Sequence, residues 1–376
     1  MTRPSPFTRA VTVVFVALAC ASALHADPAD KIKLLKESKL IYEIHVQATK
    51  PVAALEELTC PRRSFTQRVV KNADGQTALT EWRTLPEAAK AFGRAEQEFK
   101  NERYDEAEKA YRRALVLDPE FGLGWLYLGD VSFGRKDYKT ALEHYRKALA
   151  IDPTSPQAHR FAADALRRLS DPAGAEAEYV TALAEDPGYT EAEDALRDLG
   201  RTAGFEVHRH PFPVTTVYVG KLHDGKVEVG LELGQKDGPG PAGAAYTTCK
   251  AVWRYEDGFR ATQLGEQAPY SWTVAEEHDC VVDYMIAAIN AADAKLEEQD
   301  KAHGRPAREH DNDELLAAAS PELRFLVEVT KANALDGFIL FEILGARCPA
   351  ALSTLSDDAH AAVEDYVRRF VVTRRP

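Results

Sequence analysis

Several groups of side chains in this chain stand at spacings that chemistry uses, and none completes the set its reaction needs. His208-Arg209-His210 puts two imidazoles at i and i+2, on one face of a strand, where His223 could join them across a hairpin. A metal centre built there still needs a carboxylate or further ligand at an identifiable position, and Pro211 directly after reads as a strand end in solvent. Asp311, Asp313 and Glu314 in REHDNDE carry the oxygen ligands of a hard-cation loop. Counting from Asp311, however, puts Leu316 at the sixth position, where a calcium loop needs glycine. The expected role of Asp311 or Asp313 is instead to cap a helix beginning near Glu314. Gly238, Gly240 and Gly243 spell GxGxxG, but Pro239 and Pro241 interrupt it and the stretch is expected to run between strands rather than from a strand into a helix. No GxSxG elbow occurs, Ser271 and Ser320 have no recognisable setting, and Cys249, Cys280 and Cys348 suit disulfides or core packing better than thiolate chemistry. No catalytic, cofactor-binding or metal-ligating residue is therefore assigned.

The strongest positional signal is a repeat. Pro119, Pro153 and Pro187 close the stretches AYRRALVLDP, HYRKALAIDP and EYVTALAEDP at a period of 34 residues. With each proline set at position 32 of its unit, Ala107, Ala141 and Ala175 fall at position 20, Tyr111, Tyr145 and Tyr179 at 24, and Ala114, Ala148 and Ala182 at 27. Small residues at 20 and 27 let two helices approach, and an aromatic at 24 fills the space between units. In the middle unit Trp125, Leu128 and Gly129 take positions 4, 7 and 8. From Ala88 to about Pro187 the chain resembles the tetratricopeptide repeat family, with Ala91, Arg94, Ala95 and His159, Ala162, Ala163 as departures in the outer units. The resemblance implies three helical hairpins stacked as a solenoid, closed by Tyr189–Leu199 as a solvating helix.

It also implies a concave groove lined by positions 2, 5, 9 and 12 of each first helix. In unit one these are Ala89, Phe92, Glu96 and Phe99; in unit two Leu123, Leu126, Asp130 and Phe133; in unit three Gln157, Arg160, Asp164 and Arg167. An acid recurs at position 9, aromatics line the first two units, and Arg160, Arg167 and Arg168 gather at the third. Such a surface suits a peptide with apolar anchors at one end and acidic character at the other. The other reading is that these charges are solvated helix faces and the phenylalanines pack on a neighbouring domain.

The 376 residues allow two or three domains, and the hydrophobic fraction of 45% and charged fraction of 28% are those of a globular protein. A formal charge of −12 disfavours nucleic acid. At the N-terminus Arg3 and Arg9, the apolar run Ala10–Ala19, and Ala23 and Ala26 form a signal-peptide layout over residues 1–26. Its removal takes away both arginines and leaves a charge of −14. Export makes the protein periplasmic or secreted, with a lipid anchor through Cys20 as the lesser alternative. Outside the cytoplasm Cys60, Cys249, Cys280 and Cys348 can pair into two disulfides, Cys249 with Cys280 being the favoured bond.

Residues 27–87 read as an N-terminal segment of uncertain fold: a helix at Asp30–Glu37, a strand at Lys39–Val46, a short helix at Pro51–Thr59 and a turn at Asn72–Gly75. It is either a small domain or a lead-in packed on the first repeat. Residues 88–200 hold three repeats and the capping helix. Residues 201–376 read as one α+β domain, with strands at Phe205–His210, Val214–Val219 and Val227–Leu233, a tight turn at Asp224-Gly225, a loop at Gly234–Ala245 and a strand at Thr247–Tyr255. Helices are expected at Val281–Glu298, Glu314–Ala318, Glu322–Leu344 and Asp357–Val371. The expected fold is mainly α, a solenoid followed by a C-terminal α+β domain. The expected function is an exported, non-enzymatic adaptor that binds a protein or peptide in its groove without cofactor, with possible envelope association. An enzyme sited in 201–376 and docked by the repeats is the alternative, and self-association through the repeats a third.

Overall fold

A computed structural model describes residues 27–46, 62–64, 66–72, 77–214, 218–219, 224–231, 240–265 and 270–375. The signal-peptide layout, Cys20, Cys60, Pro51–Thr59, most of the Asn72–Gly75 turn and His223 lie outside the described residues. The chain divides into two compact units, one of residues 1–59 and 210–339, the other of 60–209 and 340–376. The segment 201–376 is thereby shared between both.

The second unit is built on the repeats. Their helices are α2 (Pro86–Lys100), α3 (Tyr104–Leu117), α4 (Gly122–Gly134), α5 (Tyr138–Ile151), α6 (Pro156–Arg168), α7 (Pro172–Glu185) and the closing α8 (Thr190–Ala203). Proline opens α2, α6 and α7, where its missing N–H costs nothing, and the side chains of Asp137, Ser155 and Asp171 cap α5, α6 and α7. Positions 20, 24 and 27 are buried in all three units, from Ala107 and Tyr111 through Tyr179 and Ala182. Gly129 lies against the ring of Tyr145, so any side chain there would collide with it.

Each hairpin turns through a residue in the left-handed region: Glu102 (φ 57°), Lys136 (φ 65°) and Ser170 (φ 63°), again 34 apart. The next amide in each turn, of Arg103, Asp137 and Asp171, reaches back to Glu98, Ser132 and Leu166 at 2.9, 2.9 and 3.0 Å, which ties off the first helix. A Cβ costs energy in this conformation and glycine does not. Glu102→Gly, Lys136→Gly and Ser170→Gly are each expected to stabilise the array, by roughly 0.5–1 kcal/mol, as a rise in its urea midpoint.

Two further pieces complete this unit. β2 (Gln67–Lys71) and β3 (Thr77–Glu81) form an antiparallel hairpin with Val69 opposite Leu79. At the other end the C-terminal residues return to the array: α14 (Asp357–Tyr366) bonds α7 through Thr181–Glu364 at 3.0 Å and His360–Glu185 at 2.9 Å. The final strand β7 (Val372–Arg374) pairs antiparallel with β4 (Phe205–Val207), directly after α8. The last repeat is therefore closed by α8 and by residues some 170 positions later in the chain.

The first unit holds α1 (Pro28–Glu37) and a sheet of order β1-β6-β5, with β1 (Ile41–Val46) parallel to β6 (Lys226–Leu231) and β5 (Tyr218–Val219) antiparallel to it. Asp224 (φ 48°) and Gly225 (φ 75°) both take the left-handed values a tight hairpin turn requires. Its helices are α9 (Gly240–Tyr255), α10 (Asp257–Leu264), α11 (Val274–Ala302), α12 (Asn312–Ala318) and α13 (Pro321–Lys331). The expected loop to Ala245 and strand at Thr247–Tyr255 are replaced by α9. Burial of Ala242, Tyr246, Cys249, Lys250 and Trp253 at three- and four-residue steps decides for helix over local β propensity. The expected helix Glu322–Leu344 is broken after Lys331, where Asn333 (φ 55°) turns the chain before the π-helical Ile339–Leu344. Among the described residues no helix is long and apolar enough to cross a membrane.

Candidate partner-binding face

The first helix of each repeat brings its position-9 acid under the position-24 tyrosine of the second helix, fifteen residues on. Tyr111 donates to Glu96, Tyr145 to Asp130 at 2.8 Å and Tyr179 to Asp164. The recurring acid is thus a hydrogen-bond acceptor fixed within its own unit, and only its remaining oxygen capacity is left for a partner. Burial and the bound carboxylates raise all three phenols above their ordinary pKa. Arg160 lies 3.2 Å from Asp164 and over the Phe161 ring at 5.0 Å, and Arg167 is exposed.

The middle carboxyl is the perturbed one. Burial pushes Asp130 up to about 7, helped by the charges of Glu96 and Asp164 and opposed by the Tyr145 bond and Arg160. A carboxyl raised in the folded state stabilises fully below its unfolded value near 4, and that contribution is lost as pH rises through the folded value. Wild type should therefore lose stability between about pH 4 and 7 relative to Asp130→Asn, which keeps an acceptor for Tyr145. Urea midpoints across that range test this. Parallel pH profiles for the two proteins would count against it.

The aromatics have partners inside the array. Phe92 meets Tyr111, Phe121 and Tyr127 edge-on at 5.5, 5.0 and 5.4 Å. At position 12, Phe99 packs on Tyr104 at 5.7 Å and Phe133 on Tyr138 at 5.1 Å, the same contact one unit apart. All three rings stay half-buried. Leu126 is buried, and it lines a cleft with Leu123 and Gln157 that Gln67 and Trp82 of the hairpin segment close from the other side. Glu96 and Phe99 lie on α2, Asp130 and Phe133 on α4, and Arg160 and Asp164 on α6. Leu126 is part of the covered portion. The hairpin's place was missed, because nothing local in residues 62–84 announces contacts this distant.

The other candidates do not converge. His208 bonds Glu206 at 3.1 Å, while the His210 ring stacks on Phe325 at 3.8 Å. Asp311 caps α12 in a reciprocal box with Glu314. Gly240 does open a helix that follows a strand, contrary to the expected strand-to-strand setting. However, α9 leads into α10 and α11 and no later strand joins this sheet among the described residues, so no βαβ unit frames the glycines. Among the described residues no group of three or more His, Cys, Asp or Glu is arranged to hold a metal.

The densest polar cluster was not anticipated. In the first unit Lys250 is 1% exposed and pairs with Glu276 and with Glu277 at 3.0 Å, while Lys31, equally buried, lies 2.8 Å from both Asp279 and Asp283. Tyr270 donates to Glu276 at 3.1 Å, Trp272 to Glu277 at 2.8 Å and Trp253 to Asp279 at 2.7 Å; Tyr246 also donates to Glu277. Burial alone would lower the Lys250 pKa, but Glu276 and Glu277 outweigh it and the net shift is upward. Burial raises Glu276 and Asp283, each offset in part by its lysine. The available signal was Glu276, Asp279 and Asp283 at helical spacing on the apolar face of α11. Cys249 and Cys280 are disulfide-bonded beside this cluster, with Cα atoms 5.3 Å apart, and Cys348 is disulfide-bonded as well.

Two family profiles, each described as tetratricopeptide repeat, match residues 92–156 and 132–199. The array is made of tetratricopeptide repeats. No curated protein matches the chain in sequence. Similar solved structures include the first TPR of Spaghetti (RPAP3) bound to HSP90 peptide SRMEEVD, at 22% identity, 31% of this chain, 93% of that one and a TM-score of 0.31. The Yersinia enterocolitica type III secretion chaperone SycD, in complex with a peptide of the translocator YopD, is similar at 20% identity, 31% and 93% coverage and 0.30. The Sgt2 TPR domain from Aspergillus fumigatus follows at 19%, 32%, 81% and 0.31. Each of these likenesses covers about a third of this chain.

Proposed function

We propose that this protein is a non-catalytic adaptor whose tetratricopeptide array binds a protein or peptide partner along its concave face. The observation that carries the reading is the composition of that face. Half-buried Phe99 and Phe133, the acids of position 9, and Arg160 with exposed Arg167 lie along first helices packed within their own units. The signal-peptide layout and the Cys249–Cys280 disulfide support export to an oxidising compartment. The partner would then be met in the periplasm or outside the cell, with envelope association.

The variant that tests the face has to spare the core. Phe99 and Phe133 pack edge-on inside their units, so Arg160→Ala/Arg167→Ala/Glu96→Gln is the better choice, the glutamine keeping an acceptor for Tyr111. A partner cross-linked to the exported wild-type protein should bind this folded variant at least about tenfold more weakly. Equal binding would remove the concave face from consideration.

A further inference from the structure

Residues 62–64, 66–72 and 77–84 contact each of the three inter-unit turns of the array. Thr84 bonds the Asp118 carboxylate at 2.5 Å. Arg63 pairs with Asp152 and donates to the Thr154 carbonyl at 2.7 Å. Arg62 lies 3.7 Å from Asp186. These three aspartates stand 34 residues apart, each directly before the proline that closes its unit. Between the anchors Trp82 meets Phe121 edge-on at 6.1 Å and presses on Gly122, where an added Cβ would stand 2.6 Å from the indole; Arg68 covers the outer face at 4.9 Å. Gln67 and Trp82 thus roof Leu123, Leu126 and Gln157, which are groove positions 2 and 5. At the far end Thr77 donates to the Thr354 carbonyl at 2.6 Å.

We propose that this segment is a strap the chain lays along its own groove, and that a partner enters by displacing it. The inference rests on the reading of the concave face as partner-binding. The strap's contacts state the displacing partner's chemistry: an extended segment with a guanidinium for an Asp-Pro turn and an aromatic ring for the start of α4 at Gly122. Its grip is uneven, which suits displacement. Arg63 and Asp152 are both buried and act as the pivot, whereas Arg62 is half-exposed and most of β2 and β3 is only half-buried. Among the described residues β2 and β3 pair only with each other, so no wider sheet holds the arms in place. The strap leaves positions 9 and 12 outside the cleft it closes.

The test uses full-length protein with its disulfides intact and a fluorescein-labelled synthetic peptide of residues 62–84 as the probe. Wild type should bind it weakly, and Arg62→Ala/Trp82→Ala, which leaves the Arg63 pivot in place, at least about tenfold more tightly. Gly122→Ala provides a second route that does not touch the strap: its methyl evicts the indole while alanine favours the helix. Amide exchange across 67–71 and 77–81 should quicken in it, with the array's own helices unchanged. A folded double variant that binds no better than wild type overturns the proposal, as does unchanged exchange in Gly122→Ala. Tight binding of the peptide to wild type with unmoved arms overturns the strap and leaves the groove reading standing. Arms that exchange faster in a variant that still takes no peptide overturn both.

Discussion

Lys250→Met is expected to destabilise the unit of residues 1–59 and 210–339 by about 3–5 kcal/mol at pH 7, the usual cost of stranding a buried ionic partner. Lys250 is fully enclosed by α9 and α11, and it is the cation that both Glu276 and Glu277 face. Methionine fills much the same volume, so the loss is electrostatic and not a cavity. Two carboxylates would lose their buried cation and keep the Tyr270, Tyr246 and Trp272 donors. They can escape by taking up protons, which fixes the sign of the pH dependence. Carboxyls whose folded pKa rises stabilise below their unfolded value and lose that contribution as pH rises, so the deficit should shrink towards pH 5 and widen towards pH 8. Adding Glu276→Gln and Glu277→Gln to Lys250→Met should restore most of the stability. Urea unfolding at three pH values reads all of this. A deficit independent of pH, or no rescue, would show that Lys250 acts through packing.

What the sequence made legible follows how locally each feature is specified. The repeat could be read because its alanines, tyrosines and prolines are required by contacts within one 34-residue unit, and close helix packing leaves few substitutes. The acid–tyrosine pairs were visible as two separate columns but not as bonds, since joining positions 9 and 24 requires knowing how the two helices rotate against each other. The strap was invisible for a different reason. Arg63 and Asp152 are 89 residues apart, and the second of two adjacent arginines after a proline has nothing to distinguish it from a surface residue. The charged core is hidden in the same way: Asp279 and Asp283 stand at helical spacing on the apolar face of α11, but the lysine that pairs with both, Lys31, comes from a helix some 250 residues earlier. Over α9, Thr247, Thr248 and Val252 give a local β preference that packing against α11 overrides.

The same interface sets the second large effect. Cys249→Ser/Cys280→Ser is expected to cost the first unit about 3–4 kcal/mol, because the bond closes a 31-residue loop that includes α10 and links α9 to α11. A disulfide matters more here than in an ordinary core. The facing surfaces of α9 and α11 are occupied by ion pairs, whose desolvation offsets much of their attraction, so apolar burial alone holds the helices together less firmly. Part of the loss can be recovered, since the Cys249 sulfur stands 3.6 Å from the Asp279 carboxylate and a serine hydroxyl there can donate to it, which a disulfide sulfur cannot. The serine pair isolates this bond, whereas a reductant would also open the disulfide of Cys348. Thermal unfolding should show the transition of residues 1–59 and 210–339 moving down while the repeat array keeps its own midpoint. If both move together, the two units unfold as one. If neither moves, the buried ion pairs alone hold α9 to α11 and the chain-entropy argument fails for this loop.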